Sequence, residues 1–101
     1  MLVTISKIYT RPDASVPWHH EVLDGSEFLD RFKIYEINCT LNEKINIDEL
    51  HIKFTSQWSS DEACQEYLND PILKNYWQTR DEYNQLVGIT SEDRIVEYTN
   101  P

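Results

Sequence analysis

Trp18-His19-His20-Glu21 places two imidazoles and a carboxylate within four residues, directly behind Val16-Pro17. Histidine is the side chain whose ordinary pKa lies near neutrality, so such a run suits proton transfer, metal ligation or a titrating lid. Metal ligation is the poorest fit. Adjacent side chains of an extended segment point to opposite sides, unlike two histidines four apart on a helix that grip one zinc ion. No Cys or Asp cluster completes a ligand set either. The expectation is a loop folded over the domain and anchored by Trp18, with His19 and His20 near a pocket mouth as a lid. Neither metal nor cofactor is expected.

His51 is the next residue able to move a proton, with Lys53 and Thr55 as its alternate neighbours. A hydrogen-bonded histidine at an interface is the simpler role for it than acid–base chemistry. Lys7 raises the same question in the first strand. A third group, Tyr76, Trp77, Arg80 and Tyr83, recurs at helical spacing. Such aromatic stripes ordinarily form core, and Arg80 within this one is most simply the partner of an acid. Tyr35 and Trp58 can join these rings in lining a cavity. The expected ligand-binding set is therefore Trp18, His19, His20, Tyr35, His51, Trp58, Tyr76, Trp77, Arg80 and Tyr83. Two distant glycines build no phosphate cradle, and there is no nucleophile elbow or dinucleotide fingerprint.

The elements that must position these residues follow from periodicity. Leu2–Thr10 alternates, with Val3, Ile5 and Tyr9 on one side and Leu2, Thr4, Ser6 and Ile8 on the other; Lys7 interrupts the apolar face near its middle. Residues 11–23, with Pro12 and Pro17, read as an ordered loop. Phe28, Leu29 and Phe32 share one face of a short helix over 26–33. "KIYEINCTL" alternates as a second strand, with Tyr35, Ile37, Cys39 and Leu41 on one face (a longer helix running into it is the alternative), and "NEKINIDE" reads as the connection after it. "LHIKFTSQW" is the clearest strand, with Leu50, Ile52 and Phe54 inward and His51, Lys53, Thr55 and Gln57 opposite.

"QWSSDEA" then marks a strand-to-helix seam, where Ser59 and Glu62 have the spacing of a capping box. The helix presents Ala63, Cys64, Tyr67 and Leu68 as an apolar stripe. Asp70-Pro71 ends it and starts another, since Asp70 can cap and Pro71 suits a first helical position. Gly88 fits the residue just past that helix, and "RIVEYT" is a final strand.

The 101 residues are expected to form one domain, 1–101. Forty per cent hydrophobic residues, with three Trp, six Tyr and three Phe, exclude a disordered chain and point to an aromatic core or binding surface. Nine basic against eighteen acidic residues give a formal charge of −9 with no cationic cluster along the sequence, which argues against nucleic-acid and anionic-membrane partners. Cys39 and Cys64 lack paired spacing and read as buried thiols of a reducing compartment. "MLVTISKIYT" is too polar for a signal peptide or membrane span, and no later run is long enough. A cytoplasmic protein is the expectation.

Strand, helix, strand, strand, bent helix, strand is the βαββαβ order of α+β ferredoxin-like folds, a four-stranded antiparallel sheet with helices on one side. The reverse side of this sheet carries Leu2 and Ile8 among polar residues, and a second copy packed there would cover it; the alternative is a monomer with an ordinary half-polar sheet face. The run "FTSQWSSDEACQEYLNDPILKNYWQTRDEYNQLVGI" resembles the third strand and bent second helix of the dimeric α+β barrel superfamily. That group includes antibiotic-biosynthesis-monooxygenase-like proteins and small relatives from phages and marine metagenomes. Trp58-Ser59-Ser60, the break at Tyr67–Pro71 and the helix end at Tyr83–Gly88 carry the likeness, and "TISKIYTRPD" is similar to the first strand of the small relatives. Together they cover about half the chain.

The resemblance implies a homodimer whose sheets face each other as a dimeric α+β barrel, with a pocket in each subunit between sheet and helices. Superfamily members include cofactor-independent oxygenases, haem-degrading enzymes and chlorite-type haem enzymes, but none of their catalytic sets maps onto these residues. A small-ligand-binding protein for an apolar or amphipathic molecule, a lipid-like acid or an aromatic, ranks first. A cofactor-independent monooxygenase-like enzyme ranks second, and a structural or host-interaction protein with an acidic surface third.

Overall fold

The structure, a computed structural model, describes residues 1–100. The alternating N-terminal segment forms β1 (Leu2–Thr10), the central strand of an antiparallel sheet. It pairs on one side with β3 (His51–Trp58), in the register Val3↔Trp58 to Thr10↔His51, and β3 pairs in turn with β2 (Cys39–Asn46). On the other side lie β4 (Thr90–Ser91), opposite Tyr9 and Thr10, and β5 (Ile95–Thr99), opposite Leu2–Ser6. These two are halves of one edge strand, parted where the Glu92 amide donates to the Ile8 carbonyl (3.0 Å). The expected final strand is thus present with a short extra piece before it.

The helices α1 (His19–Val22), α2 (Ser26–Phe32), α3 (Asp61–Leu68) and α4 (Pro71–Val87) pack on the face that carries Val3, Ile5 and Tyr9. Their apolar residues form two separate clusters. Val3, Ile5 and Trp58 meet Phe32, Cys64, Tyr67 and Leu73 at one end. Tyr9 and Ile52 meet Trp18 and Ile89 at the other. Lys7 is the residue of this face that falls between them.

Four expectations need correction. The second strand starts at Cys39, not Lys33. Lys33–Asn38 is a turn followed by a 3₁₀ segment (Glu36–Asn38), because local amide bonds from Ile34 to Arg31, Tyr35 to Phe32 and Asn38 to Tyr35 outcompete extension. Ile37, expected inward, is 88% exposed. The strand therefore takes in most of the residues read as its polar connection, with a bulge between Cys39 and Leu41. At the seam, Ser60 rather than Ser59 caps α3: its Oγ accepts from the Ala63 amide (3.1 Å), so the Ser59–Glu62 box does not form. Leu50 precedes β3 and is exposed, and Cys39 is only half-buried.

The break between α3 and α4 was read correctly, and it holds more than a cap. Asp70 Oδ1 accepts from the Ile72 and Leu73 amides (3.0 and 3.1 Å), and Pro71 occupies the first turn. Its Oδ2 accepts from Arg31 Nε (2.8 Å), Arg31 Nη2 (2.7 Å) and the Tyr35 hydroxyl. One buried carboxylate therefore ties α4 to α2 and to the turn after it. Gly88 ends α4 at φ 84°, where a side chain would be strained.

The Arg31 guanidinium holds the Asp70 carboxyl well below the usual range, with the Tyr35 and Leu73 hydrogen bonds adding to it. The folded pKa lies below the unfolded value of about 3.9, so this contribution is complete above that pH and is lost as pH falls through the folded value. Asp70→Ala should cost about 2–3 kcal/mol at neutral pH. In urea melts, the gap between wild type and Asp70→Ala should hold constant down to about pH 5 and narrow below about pH 4. A gap that does not narrow in acid would show that the carboxylate charge is not what holds the joint.

Candidate functional site

Lys7 projects from the middle of the central strand, and the helical layer does not close over it. A cavity of about 1080 Å³ opens there between the sheet and α1, α2 and α4. Small-molecule sites usually occupy about 300–1,000 Å³, so this one is at the large end. Its floor is Ile5, Lys7 and Tyr9 of β1, Phe54 and Ser56 of β3, and Asn42 and Lys44 of β2. Its walls are His19, His20 and Leu23, the α2 residues Phe28, Leu29 and Phe32, and Tyr76, Trp77, Arg80 and Asp81 of α4.

The loop 11–18 is strapped down on both sides, which is what sets the histidines over the sheet. Arg11 stacks on the Trp18 ring (4.7 Å) and donates to the carbonyls of Val16 (2.8 Å) and Glu49 (2.6 Å). The Tyr83 hydroxyl donates to the Pro17 carbonyl (2.6 Å), tying the loop to α4. Trp18 is buried beneath. Its amide donates to Glu21 Oε1 (3.0 Å) as α1 begins.

His19 and His20 therefore lie on a helical turn, not an extended segment. Both line the cavity, with ring centroids 5.6 Å apart, instead of pointing to opposite sides. His19 is 6% exposed and packs against Phe54 (5.3 Å), Tyr9 (5.9 Å) and Tyr76 (6.4 Å). Burial, reinforced by the nearby Arg80 charge, lowers its pKa to about 4, so it is neutral at physiological pH. His20 is lowered by burial and by Lys44, and its Nδ1 is a buried polar atom with no hydrogen-bond partner among the described residues.

Tyr76, Trp77 and Arg80 are the other expected residues that meet at the cavity. The expected partner of Arg80 is Asp81 (3.0 Å). Trp58, Trp18 and Tyr83 instead pack in the two clusters at its ends, and Trp58 Nε1 donates to Ser56 Oγ (3.0 Å). Tyr35 is held at the Asp70 joint. His51 lies on the far face of the sheet, its Nδ1 2.7 Å from Asp48 Oδ1. Among the described residues no three His, Cys, Asp or Glu are grouped to hold a metal ion.

The sequence reading missed Phe28, Phe32, Phe54 and Tyr67, which were assigned to core, and Lys44, Lys74 and Arg94, which were not singled out at all. The aromatic signal was in plain view, since core and cavity wall have the same period. The cations carried no signal because they lie on β2, on α4 and in the segment between β4 and β5, far apart in the chain.

No protein-family model and no curated protein sequence matches this chain. Its architecture does match solved structures. SnoaB, a cofactor-independent oxygenase from Streptomyces nogalater, superposes with TM-scores of 0.66 and 0.61 in two structures, one of a mutant, at 12% identity over 99% of this chain and 94% of that one. A DABB family protein with a ferredoxin-like fold from Mesorhizobium loti gives 0.60 at 16% identity over 99% and 98%. The chain has a ferredoxin-like α+β fold. At these identities the likeness is one of fold.

Neutral His19 sets a pH limit on stability. Its folded pKa of about 4 lies below the unfolded value of about 6.5. The contribution is full above the unfolded value and is lost as pH falls from there through the folded one, up to about 3 kcal/mol. His19→Phe should therefore lose less stability than wild type in urea melts taken from about pH 7 to about pH 4. Equal losses would mean that His19 is hydrated and titrates normally.

Proposed function

We propose that this chain is a small-ligand-binding protein that holds an apolar or amphipathic molecule, a lipid-like acid or an aromatic, between its sheet and helices. The observation that carries this reading is the cavity itself. It is large, walled by Phe28, Phe32, Phe54, Tyr76 and Trp77, and supplied with a few polar groups that can fix an orientation. His20 Nδ1 is one such group. A packed core of the same composition would have closed over this volume, since empty apolar space forfeits dispersion contacts. Cys39 and Cys64, free in the structure, fit a reducing compartment such as the cytoplasm. No helix among the described residues is long and apolar enough to cross a membrane.

A second reading, cofactor-independent oxygenase-like turnover, is supported by one observation. His19 is neutral and packed among aromatic rings at the cavity wall, where its imidazole can accept a hydrogen bond from an electron-rich aromatic substrate. Thermal melts against a panel of aliphatic and aromatic acids, with an oxygen electrode on the same mixtures, separate the two readings. Raised melting without oxygen uptake is the expected result. Uptake lost in His19→Ala would favour the enzyme, and no stabilisation by any compound would sink the binding reading.

The assembly we infer is a homodimer through the reverse side of the sheet. The register puts Thr4, Ser6 and Ile8 of β1, Lys53, Thr55 and Gln57 of β3, Leu41 and Ile45 of β2 and Ile95 of β5 on that face. It has a polar centre, where Gln57 Nε2 donates to Thr4 Oγ1 (3.0 Å), and half-exposed Leu41, Ile45 and Ile95 around it. Thr55 Oγ1 is buried there without a partner among the described residues. A second sheet would cover this surface and complete its hydrogen bonds. Light scattering should give twice the 12.0 kDa chain mass, and Thr55→Glu should halve it by burying a charge at the seam. A 12.0 kDa wild-type species would refute the dimer.

A further inference from the structure

Charge is distributed in this molecule in a way that its total conceals. The chain has nine Lys and Arg against eighteen Asp and Glu. Five of those nine cations, Lys7, Lys44, Lys74, Arg80 and Arg94, line the cavity, against only two of the eighteen acids, Glu43 and Asp81. The cavity wall thus carries +3 and the rest of the chain −12. Glu43 also pairs in register with Thr55, on the face turned away from the helices.

Lys7 is the centre of the asymmetry. It sits on the core face of the central strand between buried Ile5 and Tyr9, opposite Phe54. Among the described residues its ammonium has neither an ion pair nor a hydrogen bond; the Tyr9 ring centroid is 5.8 Å away, and the charges of Arg80, Asp81, Arg94 and Asp93 act on it. The Arg80 guanidinium, with a side chain only 16% exposed, lies 5.6 Å from the same ring. Two cations therefore converge on one buried tyrosine. Asp81 pairs directly with Arg80; Lys7 has no ion pair of its own among the described residues and feels Asp81 and Asp93 only through space. Burial and the Arg80 charge both push the Lys7 pKa down, which means that the wall disfavours this charge as it stands. A lone half-buried cation without a partner is an unfavourable arrangement that an incoming anion would relieve.

We propose that the cavity takes an amphipathic monoanion, with its acid group on Lys7 beside Arg80 and its apolar body among Phe28, Phe32, Tyr67 and Trp77. This assignment rests on the binding function proposed above and adds the sign of the ligand's charge and the place of its acid group. Arg80 is paired with Asp81, whereas Lys7 and Lys44 of the cavity floor have no ion pair among the described residues; Lys7 is the more central of the two and lies beside Arg80, so one acid group seated there is the complement proposed. Phe28 and Trp77 (6.1 Å between ring centroids) and Tyr67 and Trp77 (5.2 Å) form the continuous apolar wall that an alkyl or aromatic body requires.

Matched acids and alcohols test it: decanoate against decanol, and biphenyl-4-carboxylate against biphenyl-4-methanol, titrated into the whole protein by tryptophan fluorescence, since Trp77 lines the cavity. Each acid should bind at least about tenfold more tightly than its alcohol. The preference should collapse in Lys7→Met and persist in Lys7→Arg. The ligand-free Lys7→Met protein should melt no lower than wild type, because the substitution removes an unpaired charge and leaves an apolar stem of similar length; a clearly lower melting point would assign Lys7 a structural role and overturn the proposal. Alcohols binding as tightly as acids would remove the charged subsite while leaving the cavity a binding site. A preference that survives Lys7→Met would place the acid group elsewhere, and no binding by any of the four would sink the cavity reading and this one together.

Discussion

An ammonium group in the middle of the central strand's core face is the constraint around which the rest of this molecule is arranged. Val3, Ile5 and Tyr9 continue one alternating face, and an apolar residue at position 7 would have joined them into a single core. Lys7 prevents that, because an unpaired charge cannot be sealed under helices at tolerable cost. The apolar residues gather instead as two clusters, one around Trp58 and one around Trp18, with the cavity between them. One side chain thus leaves a cavity where a continuous core would otherwise run.

A split core must be held at its edges, and the polar joints of the structure lie there. Asp70 gathers the start of α4, Arg31 of α2 and Tyr35 on one carboxylate, next to the Trp58 cluster. Tyr83 and Arg11 strap the loop that carries Trp18 and the histidines, next to the other cluster. Neither joint touches the cavity floor, so both can be rigid while the space between stays open. This division also explains why the expected site residues separate as they do. Tyr35 and Tyr83 brace the frame, whereas Tyr76, Trp77 and Arg80, from the faces of α4 between them, meet the cavity.

What could be read beforehand was whatever local chemistry dictates. The alternation of β1 and β3, the Asp70-Pro71 start of α4 and the left-handed Gly88 at its end need no distant partner, and each formed as expected. The second strand was misplaced because alternation in Tyr35–Leu41 was mistaken for pleating. Tyr35 faces inward for Asp70, thirty-five residues away, and Ile37 faces water, so no periodicity could have separated the two cases. That slip concealed Lys44, whose place on the cavity face depends on the true register with Phe54. The helical turn at His19 was equally hidden, since Trp18 begins it only by burying its ring against Tyr9 and Ile52 from two other strands.

The acidic excess of the chain looks at first like an obstacle to any anion, yet the distances involved remove most of the conflict. At physiological salt, charges separated by more than about 8 Å of solvent scarcely feel one another. The surface acids therefore act mainly on solubility and on what approaches the surface closely. Inside the cavity, low-dielectric walls screen less, and Lys7 and Arg80 set the local potential. An acid small enough to remain in solvent meets mostly negative surface and gains little from the apolar wall. In the binding mode proposed above, an amphipathic acid would recover the cost of approach by burying its body against Phe28 and Trp77, bringing its charge to Lys7. On that proposal, the arrangement that makes the exterior repel anions would make the interior selective among them, favouring those with enough apolar surface to enter.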